Sequence, residues 1–315
     1  QAFDVEIIKD MTLFQNMTVS GDLRLKSGIL DLDGKKLTIE GDLIQIGGTV
    51  LVNGGELNVY GDYSIGSEEK SANAYLRMTN EFDYVTVYGS FSTYSSNSHI
   101  SYLTAGTIEI KGDFLQKRGN SYNFYTSGSH KVILNGENTQ NVFFANPEAS
   151  CYSVLEIANI SEEGVNFESI LPVRDLILNN YIASDFPIQI GTVEWKLSGD
   201  QEIKGDLHLK GAKIDLKGSK LKVGGEVIQT GGTMFINGGC LDITGDYKIE
   251  DDGNSVDALL QMTNESDYIK VGGTFITMSN NSHYAKLLAG TMEIKGDFLQ
   301  RSGSPGNFLA SGTHK

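Results

Sequence analysis

Asp22, Asp42 and Asp62 recur every 20 residues, each directly after a glycine, and Asp206, Glu226 and Asp246 echo them further along. Carboxylates stacked about 5 Å apart on neighbouring strands could gather the several oxygens that a calcium ion takes. The simpler reading is that an aspartate after glycine caps a corner by accepting nearby backbone N–H bonds, with water screening the repulsion. The glycine-rich nonapeptide of calcium-binding β-rolls is missing. No metal and no cofactor is expected.

Of five histidines, four form duplicated pairs, His99 with His283 and His130 with His314. No H-x-x-x-H or Cys/His cluster accompanies them, so they are read as corner or surface residues copied with a repeat rather than as zinc ligands. Serine, histidine and aspartate occur without a G-x-S-x-G elbow. The arginines are Arg24, Arg77, Arg118, Arg174 and Arg301, and Arg24 and Arg77 align with His208 and Gln261. Neither copy therefore keeps an arginine-based site of the kind polysaccharide-cleaving β-helices need beside their carboxylates, and no catalytic residue is assigned. Tyr94, Asn97, His99 and Tyr102 share one irregular stretch, and Asn281, His283 and Tyr284 occupy its copy. Rings and amides on a flat β-face can stack on sugars and bond their hydroxyls, which makes these seven the candidate ligand-binding residues. Tyrosines common to strands and asparagines common to turns are the alternative.

The elements that would position these groups are set by a duplication. An offset of 184 carries Gly21-Asp22-Leu23 onto Gly205-Asp206-Leu207, Met78-Thr79-Asn80 onto Met262-Thr263-Asn264, and Lys111–Gln116 onto Lys295–Gln300, without a gap from Gly21 to Lys131. Inside it lies a 20-residue period. Leu23, Leu43 and Tyr63 form one row; Leu30 and Val50, Leu32 and Val52, Leu37 and Leu57, and Ile39 and Val59 form others. The second copy repeats the rows with Leu207, Val227 and Tyr247, Leu216 and Ile236, Leu221 and Leu241, and Val223 and Ile243. Short apolar–polar alternations between glycine-bearing corners read as strands with one buried face.

The expected fold is therefore all-β: a single-stranded parallel β-helix, or β-solenoid, with coils of about 20 residues. Residues 66–71 and 250–254, and the stretches at 94–99 and 278–283, are insertions into coils. The first unit is expected over residues 1–184 and a second, truncated one over 185–315. The two are expected to form one continuous rod of about fifteen coils, roughly 70 Å long, which the parent chain extends beyond Lys315. Cys151 and Cys240 are the only cysteines. Placed coils apart, on the order of 20 Å, they lie beyond disulfide reach.

The chain has 315 residues and a formal charge of −15. That charge repels phosphate backbones, so nucleic acid is not an expected partner, and no apolar run is long enough for membrane insertion as a helix. The successive segments SGSHKVILNGENTQNVFF (127–144), VLEIANISEEGVNF (154–167) and LPVRDLILNN (171–180), with the GDLRL and LDLDGKKLTIEGD series, resemble the repetitive solenoids of bacterial cell-surface, adhesin-like proteins. The resemblance implies a secreted, cell-surface location within a larger chain, neighbouring solenoid repeats as partners, and a part in display or adhesion. The expected function is a non-enzymatic structural or adhesive module that meets a host-surface or polysaccharide ligand. A carbohydrate-binding module in its own right is the alternative, followed by a polysaccharide-degrading enzyme.

Overall fold

The computed structural model describes residues 3–161, 164–169, 171–178, 182–183, 188–190, 194–197 and 199–315. The chain divides into two compact units, Gln1–Val173 and Arg174–Lys315. Among the described residues there is no α-helix, and every strand pairing is parallel. Together the units make about twelve turns of a parallel β-solenoid.

In unit 1 the first sheet holds Val5–Ile7, Leu23–Leu25, Leu43–Gln45, Tyr63–Ile65, Phe91–Thr93, Phe114–Gln116, Gln140–Phe144 and Val165–Phe167, each hydrogen-bonded to the next. The second sheet stacks Met17–Val19, Lys36–Ile39, Glu56–Val59, Tyr84–Val87, Thr107–Ile110, Lys131–Leu134 and Tyr152–Ile157. A shorter third sheet holds Met11–Thr12, Ile29–Asp31, Gly47–Leu51 and Asn73–Arg77. The predicted rows are present in register: Leu23 opposite Leu43 and Leu43 opposite Tyr63, Leu30 opposite Val50, Leu37 opposite Leu57, and Ile39 opposite Val59. All of these side chains are buried. Each such burial stabilises the fold by roughly 1.5–3 kcal/mol.

Unit 2 repeats the arrangement. Leu207, Val227 and Tyr247 pair in sequence, as do Leu221 with Leu241 and Val223 with Ile243. Here Leu207–Asp215 and Val227–Phe235 each run as one strand across the bend that separates two strands in unit 1, with a register irregularity near Lys210.

Corners follow from local chemistry. Asp33-Gly34 and Asn53-Gly54 both have positive φ at each residue (46° and 72°, 50° and 78°). Lys35 N donates to Leu32 O and Gly55 N to Val52 O. These are type I′ turns, which need residues that tolerate the left-handed region. Lys217-Gly218 and Asn237-Gly238 make the same corners in unit 2.

Coil length is where the sequence expectation needs correction. Tyr63 pairs with Phe91, 28 residues on, and Phe91 with Phe114, 23 on. Coils of 20 residues hold at the start of each unit, and the coils that carry the insertions at 66–71 and 94–99 are longer, which is why there are fewer turns than the fifteen expected. The longer coils enclose more interior, and aromatic rings fill it. Tyr63 meets Phe91 edge-on at 5.2 Å and Phe91 stacks on Phe114 at 5.8 Å. Tyr247, Phe275 and Phe298 repeat this at 5.3 and 5.7 Å.

Replacing one inward rung should therefore be costly. Leu57→Ala is expected to lower stability by about 2–5 kcal/mol in urea unfolding, against under about 0.5 kcal/mol for outward Thr38→Ala. Equal effects would mean that the buried row does not carry the stack.

Candidate functional site

The Gly-Asp series forms a ladder along one corner of unit 1. Asp22 Oδ1 accepts the Asp42 amide at 2.9 Å, Asp42 Oδ1 the Asp62 amide at 2.8 Å, and Asp62 Oδ1 the Ser90 amide at 2.7 Å. In unit 2 Asp206 accepts from Glu226 and Asp246 from Thr274, both at 2.7 Å. The preceding glycine is required by space rather than by φ. A Cβ on Gly41 would collide with the Asp22 carboxylate and with the backbone of Gly21, and one on Gly61 with Asp42 and Gly41. The carboxylates thus act on the next coil's amides, as corner caps. No group of three or more His, Cys, Asp or Glu that could hold a metal occurs among the described residues.

The seven candidate ligand residues are split by the structure. Tyr94 is buried, and His99 is 1% exposed. His99 Nε2 accepts the Leu76 amide at 3.1 Å, and the buried His283 accepts the Leu260 amide at 3.0 Å. His130 is also buried, and neither ring nitrogen has a hydrogen-bond partner. The expectation of corner or surface histidines is corrected for these three: they stand inside coils, where their rings fill space that the longer turns open. Burial lowers the pKa of His99 and His283 from 6.5 to about 4, and that of His130 to about 3.

Asn97, Tyr102 and Asn281 are half-buried, and Tyr284 is 73% exposed. Asn97 Nδ2 donates to Asn73 Oδ1 at 2.7 Å, while Tyr102 lies against Tyr75 at 4.6 Å between ring centroids. Asn73 and Tyr75 are two residues apart on one strand, so Asn97 and Tyr102 share the outward side of the third sheet. The equivalent positions in unit 2 are Asp257, Leu259 and Lys286, so that aromatic pair is not repeated.

A second surface was not anticipated from the sequence. Tyr60 and Tyr88 stack at 4.4 Å with planes 2° apart, and Lys111 Nζ sits 4.5 Å from the Tyr88 centroid. Beside them Lys36 pairs with Glu56 at 2.7 Å, and Tyr84 Oη donates to Glu109 at 2.6 Å. Beyond the type I′ corners lies a shallow groove of about 580 Å³, with Gly34, Gly54, Lys36, Glu56, Phe82 and Tyr84 among its lining. Phe82, 72% exposed, tops a loop anchored by the buried Asp83. Asp83 accepts from the Thr79, Asn80 and Gly54 amides at 2.8, 3.0 and 2.5 Å. The available signal was the repeated T-N-E-x-D, with Asp267 making the same three bonds.

Neither cysteine is in a disulfide; Cys151 is buried and Cys240 half-buried. No helix among the described residues is long and apolar enough to cross a membrane. No protein-family model, no curated protein and no solved structure matches the chain.

Asp42→Ala removes the acceptor for the Asp62 amide and should cost about 1–3 kcal/mol, whereas Asp42→Asn, which keeps an oxygen there, should cost less. Urea midpoints would compare them, and equal losses would mean that the amide bond is not what Asp42 contributes. The buried histidines fold neutral, so the unfolded chain takes up protons first as pH falls below 6.5. The histidines should add no slope above that value and should lower stability between about pH 6.5 and pH 3, by several kcal/mol, since each tenfold loss of proton affinity on folding corresponds to about 1.4 kcal/mol. His130→Leu should flatten that slope in a urea-midpoint series against pH, and an unchanged slope would exclude its burial as a cause.

Proposed function

We propose that this chain is a non-enzymatic structural and adhesive module of a bacterial surface protein, made to present rows of outward side chains on a solenoid scaffold. The observation that carries the reading is register. Lys36, Glu56 and Tyr84 stand directly opposite one another on successive coils, and none of the three is buried. Outward chemistry is thereby repeated at the strand spacing of about 4.8 Å. Weak contacts repeated at fixed intervals bind an extended or multivalent surface far better than any one alone.

The groups best suited to acid–base work support the non-enzymatic reading by where they are used. The Asp22–Asp62 series, Asp83, His99 and His283 all bond backbone amides between or within coils. The repeats' resemblance to surface solenoids supports an outside location, as does the acidic composition, which keeps a long repetitive surface soluble.

The test is adhesion without turnover. Beads coated with the purified chain should be retained on polysaccharide films or host-cell layers above albumin-coated beads, with no release of reducing ends. Retention no better than albumin on every surface would remove the adhesive reading, and release of reducing ends would replace it with an enzyme.

A further inference from the structure

We propose that the groove flanked by the Asp33-Gly34 and Asn53-Gly54 corners and the Phe82 loop of unit 1 is a binding site for a neutral saccharide. The inference deepens the adhesive reading, on which it rests, by naming a site and a ligand class.

Phe82 is held out into water by a built loop. Its amide donates to Asn80 Oδ1 at 3.0 Å, Asp83 N donates to Asn80 O at 3.0 Å, and the Asp83 carboxylate ties the loop to Gly54 of the neighbouring coil. The ring stands at the rim of the groove, where its face is open to a ligand. Pyranose rings offer apolar C–H faces that stack on an aromatic ring and hydroxyls that bond around it.

The remaining lining supplies those bonds. The Lys36 ammonium and Glu56 carboxylate, 2.7 Å apart, put a donor and an acceptor side by side, and Asn58 Nδ2 steadies Glu56 at 2.8 Å. Asn16, which also lines the groove, has its oxygen committed to the Lys36 amide at 2.9 Å. Gly34 and Gly54 leave the floor low: a Cβ on Gly34 would meet nothing within 4 Å. Lys36 is already neutralised by Glu56, Lys35, which also lines the groove, has its ammonium donating to Asp33 O at 3.1 Å, and the chain carries −15 overall, so the site suits an uncharged sugar better than an acidic one.

Unit 2 is the internal control. It builds the same corners at Gly218 and Gly238 and keeps Lys220 and Tyr268, yet Ser266 stands for Phe82, Cys240 for Glu56 and Asp200 for Asn16. Lys220 turns instead to Asp242 at 2.8 Å. The fold therefore tolerates losing the aromatic ring and the acceptor. Their presence in unit 1 is not explained by coil stacking.

The whole chain would be titrated calorimetrically with soluble neutral gluco-, galacto- and manno-oligosaccharides of two to six units, and with uronate oligosaccharides in parallel. At least one neutral oligosaccharide should bind. Phe82→Ser, which installs the residue unit 2 already carries, should weaken binding about tenfold or more with an unchanged unfolding midpoint, and Glu56→Gln should weaken it as well. Binding of uronates alone, no binding by any probe, or neutral-sugar binding indifferent to both substitutions would overturn the site. If Phe82→Ser beads still adhered as the parent beads do, the groove would fall while the adhesive reading stood.

Discussion

A coil of this solenoid is half a structure until another coil docks on it. Its edge amides and carbonyls find partners only in the next turn, and its inward side chains are covered only by their equivalents one rung away. The rest depends on that mutual requirement. Leu23, Leu43, Tyr63, Phe91 and Phe114 lie in one buried column because each must roof the one before it. The change from leucine to aromatic residues along the column accompanies the change from short to long coils. A wider turn encloses more volume, and packing to normal interior density needs larger side chains.

Wider turns also bring polar groups inside, and most are paired. Tyr63 Oη donates to Gln45 Oε1 at 2.8 Å, and the Gln45 amide donates to Gly48 O and Tyr75 O. Tyr247 and Gln229 do the same in unit 2, again at 2.8 Å. Gln116 donates to Asn123 at 2.6 Å, and Gln300 to Asn307 at 2.7 Å. Burying such amides unpaired would be expensive, so their repetition in both copies marks a polar column as fixed as the apolar ones. His130 departs from this order, with two ring nitrogens buried and unpartnered.

The apolar rows and the corner role of the Gly-Asp series were legible in the sequence because both are short-range periodic signals. Leu37 over Leu57 needs only a count of 20 and an alternation of two. The interior position of His99 and the anchoring role of Asp83 were not legible, since both lie in coils whose length breaks the count. A residue's face cannot be assigned once its rung is unknown. The Phe82 groove escaped for a different reason. Asn16, Lys36, Glu56 and Phe82 are spread over successive coils, and nothing in their types announces a shared surface. Only the comparison of Phe82 with Ser266 across the duplication hints that one copy has kept something the other lacks.

Along the Gly-Asp edge the crossing keeps its length as long as the glycine series lasts, and it lengthens to eight steps, from Leu134 to Val142, where the series ends. From Ile39 to Leu43, Val59 to Tyr63, Val87 to Phe91 and Ile110 to Phe114 it takes the same four steps, and so it does from Val223 to Val227 and Ile243 to Tyr247. The opposite crossing, from Ile65 to Asn73 for instance, stretches freely. With no room even for a methyl group between neighbouring glycines, the tight stretch of this edge behaves as a spine that excludes bulk. Over the coils that keep the glycines, novelty during the history of such repeats is thereby channelled to the other two edges, where loops can lengthen and diverge without disturbing the pitch.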